Sequence, residues 1–152
     1  MSVTGVKTRP SGTFDAELEF KDAGVLKVSA AAQVDSAARV IDVGTGLFKA
    51  CMFIDVSAID LVGNDEIYDI VIQGSTVAAF ATDTEIKELA SINLSAAEVK
   101  RTDCNVDDST GRLKIYFDNE NNLEYYRYLR VYTVVGGSPA TGINYAAYAV
   151  SF

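Results

Sequence analysis

Hydrophobic and polar positions alternate with a period of two over several short segments of this chain, as expected for strands that bury one face. The chain is organised around residues 111–137, where two alternating runs flank a polar connection rich in Asn, Asp and Glu. We predict a long β-hairpin here. The residues expected to face the core are Leu113, Ile115, Phe117, Leu129, Val131 and Thr133. The opposite face is then aromatic and basic, which suits contact with another protein.

Similar alternation predicts further strands before and after this region. The longer runs are residues 13–20, 47–56, 66–73 and 143–152, and shorter ones are 25–29 and 38–43. We expect the strand at 66–73 to lie beside the strand at 47–56. Residues 85–95 fit a helical turn or a strand, and the alternation of Ala90, Ile92 and Leu94 with polar residues favours the strand. Residues 96–109 are charged and poorly patterned, which predicts a long loop.

About eight strands separated by turn residues, without a convincing long helix, predict an all-β fold, a single-domain β-sandwich or jelly roll. The domain would span residues 13–152. Residues 1–12 are small, polar and slightly basic and carry no apolar pattern. They predict an N-terminal arm or a disordered tail, since chain termini are often poorly ordered.

Charge narrows the classes of partner. The chain carries 13 Lys and Arg against 21 Asp and Glu, a net charge of −8. This charge repels phosphates and argues against nucleic acid as a partner. The first residues contain no apolar signal segment, and no apolar run reaches the ~20 residues that span a bilayer. We therefore expect synthesis in a cytoplasm, no membrane partner, and reduced thiols at Cys51 and Cys104.

Histidine is absent from the sequence. Its absence removes Ser-His-Asp and Cys-His nucleophile activation and the most common metal ligand. Paired carboxylates could still hydrolyse glycosides. The carboxylates closest together in sequence are Asp55, Asp60, Asp65, Glu66 and Asp69. Alternating strands and turns spread such residues over solvent-exposed surface, so we expect the protein not to be an enzyme.

A possible calcium loop lies at residues 118–122, whose sequence DNENN offers hard oxygen ligands at alternate positions. The segment lacks the glycine at the sixth position and the glutamate at the twelfth that calcium loops use. A polar connection between two strands accounts for the same residues. We expect no cofactor and no metal site.

Tyrosines are concentrated late in the chain, with seven of the eight between Tyr116 and Tyr148 and two arginines among them. Tyr and Arg are enriched at protein interfaces. They also stack on single-stranded nucleic acid, but in a basic surround that this acidic chain lacks. A core position is the alternative for any one ring. The residues that we predict at an interface are Tyr116, Arg127, Tyr128, Arg130 and Tyr132.

Four stretches give the chain a family resemblance. They are VIDVG at 40–44, FIDVSAI at 53–59, DEIYDIVIQGS at 65–75, and YRYLRVY at 126–132 followed by GSP at 137–139. Over residues 40–152 the chain resembles the small capsid cement, or decoration, proteins of tailed bacteriophages. The resemblance implies a jelly-roll subunit that forms homo-oligomers, often homotrimers, on the outside of an icosahedral capsid. There it would tie neighbouring copies of the major capsid protein together.

The resemblance also implies a location in the virion, on the outer capsid surface, after synthesis in the bacterial host cytoplasm. The predicted N-terminal arm lies outside the similar region. The alternative function is that of a carbohydrate-binding β-sandwich module, in which exposed Tyr116, Tyr128 or Tyr132 would stack on sugar rings. The absence of Trp weakens this alternative.

Overall fold

A computed structural model describes residues 14–100 and 106–152, so the N-terminal arm predicted at residues 1–12 lies outside the described residues. The fold is a jelly-roll-like sandwich of two antiparallel β-sheets that share a hydrophobic core. This architecture confirms the predicted all-β class.

The described residues contain fourteen strands, of which several have only two residues, so the number exceeds the predicted eight. They are β1 Glu19–Lys21, β2 Val25–Leu26, β3 Ala30–Ala31, β4 Gln33–Val34, β5 Ala37–Ala38, β6 Ile41–Asp42, β7 Lys49–Ile59, β8 Ile67–Ser75, β9 Lys87–Asn93, β10 Gly111–Asp118, β11 Glu120–Asn121, β12 Glu124–Tyr125, β13 Tyr128–Gly136 and β14 Ile143–Ser151. The helical segments are α1 Ala97–Lys100 and the 3₁₀ turns Ala16–Leu18 and Asp83–Glu85.

Two sheets contain the long strands. Sheet A has the order β1-β14-β7-β10, and β2 also pairs with β14. Sheet B has the order β3-β13-β8-β9, and β6 also pairs with β13. The remaining short strands form two separate ribbons, β4 with β5 and β11 with β12. Strands β13 and β14 therefore each have partners on both sides, which fixes their backbones.

Alternation along the long strands decides which side chains fill the space between the sheets. The buried core residues of these strands are Ala50, Met52, Ile54 and Val56 in β7, Tyr68, Ile70 and Ile72 in β8, Leu129 and Val131 in β13, and Tyr145, Ala147 and Ala149 in β14. Thr133 is also buried, and its hydroxyl forms a hydrogen bond with the hydroxyl of Tyr145 in the other sheet. The inward positions predicted for Leu129, Val131 and Thr133 are confirmed.

The long hairpin predicted at residues 111–137 is wrong. Strand β10 pairs with β7 in sheet A, whereas β13 pairs with β8 in sheet B. The polar connection between them folds on itself, because β11 pairs with β12. Periodicity identified the buried face of each strand correctly, but it carries no information about which strand is the neighbour.

Asn119 holds the chain where it leaves sheet A. The residue is fully buried. Its side-chain Oδ1 accepts a hydrogen bond from the backbone N–H of Phe48 at 2.8 Å. Its Nδ2 donates to the carbonyls of Gly46 at 2.9 Å and Tyr126 at 3.1 Å. The Asn119 side chain thus links the segment before β7, which contains Gly46 and Phe48, to Tyr126 just before β13.

The strand predicted at residues 13–20 is largely wrong. Residues 16–18 form a 3₁₀ turn, and strand pairing begins only at Glu19. The Asp15 carboxylate caps this turn by accepting from the N–H of Glu17 at 3.0 Å. The Arg39 guanidinium donates hydrogen bonds to the carbonyls of Ala16, Glu17 and Glu19. These side chains bond backbone groups that a strand would have used in its own ladder.

Three other predicted elements have mixed outcomes. The strand at 85–95 is confirmed as β9. The strand at 66–73 is confirmed as β8, but its expected position beside β7 is wrong, because the two lie in different sheets. The predicted loop at 96–109 begins with the short helix α1, and residues 101–105 lie outside the described residues.

Candidate protein-binding surfaces

The five predicted interface residues do not form one surface. Tyr116 lies on the outer face of sheet A, opposite in direction to the buried Phe117. Tyr128, Arg130 and Tyr132 lie on the outer face of sheet B, and Arg127 is next to them. Packed sheets are about 10 Å apart, so the two groups face away from each other. The structure therefore brings four of the five residues together.

Strand register sets the neighbours of Arg130 on this outer face. Arg130 lies opposite Gln73 in β8, and Gln73 lies opposite Glu88 in β9. Residues opposite each other share a face, so the three side chains form one row. Arg130 Nε donates to Gln73 Oε1 at 2.8 Å. The register of β8 and β9 shifts between Ile72 and Gln73, and such irregularities often re-aim a side chain.

Two aromatic rings hold the Arg130 guanidinium. Its carbon lies 4.5 Å from the centre of the Phe80 ring and 5.4 Å from that of Tyr132. Both distances are within the range of cation–π attraction. Phe80 comes from the loop between β8 and β9 and has a φ of 49°, in the left-handed region that a bulky residue rarely adopts. Burial lowers the pKa of Arg130 below its usual value.

A groove of about 480 Å³ opens beside this guanidinium. Its volume falls within the range of small-ligand sites. The polar and aromatic residues of its lining are Gln73, Phe80, Asp83, Glu88, Arg130 and Tyr132. The sequence marked Arg130 and Tyr132 as interface candidates, but nothing in the sequence showed that the β8–β9 loop would fold back to place Phe80 against Arg130.

Arg127 is compensated by a carboxylate of its own chain. Its Nε and Nη2 donate to Asp42 Oδ1 and Oδ2 at 2.8 and 2.9 Å. These bonds hold the pKa of Asp42 below its usual value. The Arg127 guanidinium carbon also lies 5.4 Å from the centre of the Tyr128 ring. Arg127 and Tyr128 thus form a pre-arranged pair beside Arg130.

The outer face of sheet A carries an aromatic cluster that the sequence analysis missed. The rings of Phe53 and Tyr148 stack with centres 5.4 Å apart, and Phe14 meets Tyr148 edge-on at 5.6 Å. Arg112 lies over both stacked rings and donates to the two carboxylate oxygens of Asp55 at 2.6 and 2.9 Å. The signal was present in the sequence, because β7 has an apolar residue at outward position 53.

Tyr116 belongs to a second aromatic pair on the same face. Its ring stacks on Phe152 with centres 5.8 Å apart. Both side chains are more than half exposed, at 54% and 64%. The pair is therefore an aromatic platform open to solvent.

Cys51 is a buried free thiol, which agrees with the reduced state that we predicted for it. It packs with Phe53 and Tyr148 on the outer side of β7. Burial raises the pKa of the Cys51 thiol, which makes it less reactive. Cys104 lies outside the described residues.

Four of the five carboxylates that are close together in sequence, Asp55, Asp60, Glu66 and Asp69, have separate structural partners. Asp69 accepts from the amide of Asn93. Glu66 is buried, and its Oε1 accepts from the N–H of Gly63 at 2.6 Å. Among residues 14–100 and 106–152, no group of three or more Cys, Asp and Glu side chains is placed to hold a metal ion.

Asp60 joins two turns at the end of the sandwich. Its carboxylate accepts from the N–H groups of Val62, Ala140 and Thr141 at 3.2, 2.7 and 2.9 Å. The bonds from Thr141 and Val62 hold the pKa of Asp60 below its usual value. The Tyr68 hydroxyl donates to the Asp60 carbonyl at 2.8 Å, and burial raises the pKa of Tyr68 to about 12.

The possible calcium loop uses its oxygens within the chain. Asp118 Oδ1 accepts from the N–H of Glu120 at 3.0 Å, and Glu120 Oε1 accepts from the N–H of Leu123 at 2.7 Å. The Asn119 oxygen is bonded to Phe48. These bonds explain the polar residues of the segment by backbone capping.

No protein-family model matches the chain, and comparison with curated proteins finds no similar sequence. In the part of the chain that the structure describes, no helix combines the length and hydropathy needed to cross a membrane. The outer surfaces of the two sheets are the features of the structure that bear on function.

Proposed function

We propose that this protein is a non-enzymatic structural protein that binds the outside of an icosahedral bacteriophage capsid and stabilises contacts between major capsid proteins. The observation that carries the proposal is the outer surface of sheet B, where Arg127, Tyr128, Arg130 and Tyr132 lie together and keep part of their side chains exposed. Tyr and Arg are the residue types that often dominate the energy of a protein interface.

The rigidity of this surface supports a binding role. Strand β13 has partners on both sides, so the backbone beneath the surface is fixed. The Arg130 guanidinium is already held by Phe80, Tyr132 and Gln73. Side chains ordered before binding lose less conformational entropy when a partner arrives, which favours affinity.

We infer that the working unit is a homotrimer bound to the virion exterior after synthesis in the host cytoplasm. Several identical surfaces on one trimer engage the shell at once, so modest individual contacts add up through their effective concentration. The net charge of −8 disfavours contact with the packaged genome. Neither nucleic acid nor membrane is a partner in this proposal.

Cosedimentation with capsids of the encoding phage tests the proposal. The purified protein should pellet with capsids that lack it, and Arg130→Ala should bind about 30-fold more weakly, because truncating a central interface Arg costs about 2 kcal/mol. Arg112→Ala, on the outer face of sheet A, is the matched control and should bind like the parent. A parent protein that stays in the supernatant would refute the capsid function.

Carbohydrate binding is the second candidate function, and the exposed Tyr116–Phe152 platform favours it. Exposed ring faces can stack on the apolar faces of sugar rings. A glycan array with the parent and Tyr116→Ala separates the two functions. A sugar preference that disappears in Tyr116→Ala supports the carbohydrate module, whereas a capsid-binding protein should show no sugar preference.

A further inference from the structure

Arg130 differs in its bonding from the other arginines that the structure describes. Arg112 and Arg127 each form a bidentate pair with an aspartate, and Arg39 donates to three backbone carbonyls. Arg130 donates from Nε to Gln73, a neutral partner. Its terminal nitrogens form no hydrogen bond, and no carboxylate forms an ion pair with it, among the described residues.

This arrangement leaves a partly desolvated charge without an anion. Burial lowers the pKa of Arg130, which reflects the cost of keeping the guanidinium away from water. Phe80 and Tyr132 hold the group, and Arg130 lines the groove with its terminal nitrogens unbonded among the described residues. A guanidinium presents its N–H groups as a planar fork that matches the two oxygens of a carboxylate. An incoming carboxylate would therefore supply the missing partner.

The rim of the groove carries the opposite charge. Asp83 and Glu88 line it, yet neither forms an ion pair with Arg130. These two acids repel a free anion and attract a cation. The groove thus combines a cationic donor at Arg130 with anionic acceptors nearby, a pattern that is complementary to an acidic group with a basic group beside it.

We propose that this groove binds a carboxylate side chain of a partner protein that has a lysine or arginine next to it. The carboxylate accepts hydrogen bonds from the terminal nitrogens of Arg130, and the basic side chain forms ion pairs with Asp83 and Glu88. The inference rests on the proposed function for the partner's identity, which is then the major capsid protein, but the chemistry of the site is independent of it.

Nuclear magnetic resonance of the full chain tests the site directly, with the Arg130 side-chain Nε–H signal as the readout. The probes are the blocked dipeptides N-acetyl-Glu-Lys-amide and N-acetyl-Gln-Lys-amide, which differ in the carboxylate. The Glu peptide should shift the Arg130 signal saturably. The Gln peptide should bind at least about tenfold more weakly, because a charge-assisted bidentate contact is stronger than a neutral one.

Two variants complete the test. Arg112→Gln removes a guanidinium that already has Asp55 as its partner and lies on the other sheet, so the response of Arg130 to the Glu peptide should be unchanged. In Arg130→Gln the backbone N–H signals of Gln73 and Glu88 report binding instead, and their shifts with the Glu peptide should disappear. Should Arg130→Gln fail to fold, Arg130→Lys keeps the charge without the fork and should bind the Glu peptide more weakly than the parent.

Two outcomes would overturn the inference: equal responses to both peptides, or no saturable shift up to the solubility limit of the Glu peptide. The result is separable from the capsid function. If the parent binds capsids but the Arg130 Nε–H signal does not respond to the Glu peptide, the inferred carboxylate site is wrong and the proposed function stands. If Arg130 responds but the parent does not bind capsids, the site stands and the capsid function is wrong.

Discussion

Replacing Asn119 by alanine should lower the free energy of unfolding by about 3 kcal/mol. The change removes three side-chain hydrogen bonds, to Phe48, Gly46 and Tyr126. Each such bond contributes about 1 kcal/mol, and a buried partner left unpaired adds to the loss. Gly46 is exposed, so water can replace the lost bond to its carbonyl. The expected range is therefore about 2–4 kcal/mol.

Urea unfolding followed by circular dichroism measures this loss, and the slope with denaturant should stay unchanged if both states keep their compactness. For a chain of this length the same loss corresponds to a melting temperature lower by about 6–12 °C. The matched control is Asn121→Ala, because the Asn121 side chain forms no hydrogen bond among the described residues. Its effect should stay within about 0.5 kcal/mol.

A third variant separates hydrogen bonding from packing. Asn119→Asp keeps the shape and the acceptor to Phe48 but turns an oxygen toward the carbonyls of Gly46 and Tyr126. At pH 7 it should be at least as destabilising as alanine, because a buried carboxylate would face two acceptors. The reasoning fails if Asn119→Ala and Asn121→Ala lose equal stability, or if Asn119→Asp is as stable as the parent.

Three further predictions concern a buried phenol, a glycine and the assembly. Because burial raises the pKa of Tyr68 to about 12 from 10.0, its stabilising contribution is complete below pH 10 and is lost as the pH rises toward 12. Raising the pH from 10 to 12 should therefore lower the free energy of unfolding of Tyr68→Phe less than that of the parent. Equal decreases in the two proteins would contradict this. Gly137→Ala should destabilise by more than about 1 kcal/mol, since φ is +73° and a Cβ would come within 2.1 Å of the Asp65 carbonyl oxygen. The control is Gly24→Ala, which has open space and should be close to neutral in the same thermal melts. Light scattering behind size exclusion should give three times the 16.3 kDa chain mass, because exposed aromatics on the outer faces favour association; a monomer at micromolar concentration would contradict the trimer.

Sequence patterns predicted the faces of strands better than their neighbours. Leu129, Val131 and Thr133 point into the core as the alternation indicated. The pairing of β10 with β7, and of β13 with β8, depends on long-range packing and on the Asn119 side chain. A local pattern contains neither, so it predicted a hairpin between consecutive runs.

Only part of the candidate surface could be predicted, because a sequence pattern does not show which strands pair. Arg130 and Tyr132 alternate with buried residues of one strand, so their shared outer face followed from periodicity. Tyr116 seemed to extend that face only because β10 was expected to pair with β13. Phe80 lies in the loop between β8 and β9, and its contact with Arg130 depends on a left-handed backbone conformation that its residue type does not favour.

The position of β14 has a consequence for the order in which the protein can be built. This strand lies between β1 and β7, and Glu19 near the start of the described chain pairs with Tyr148. Any chain that stops before residue 143 therefore lacks the centre of sheet A, along with core residues Ile143, Tyr145 and Ala147. A ribosome-bound chain cannot complete the sandwich until residues 143–151 have been made, so chains that stop earlier should expose their core and be removed by proteases.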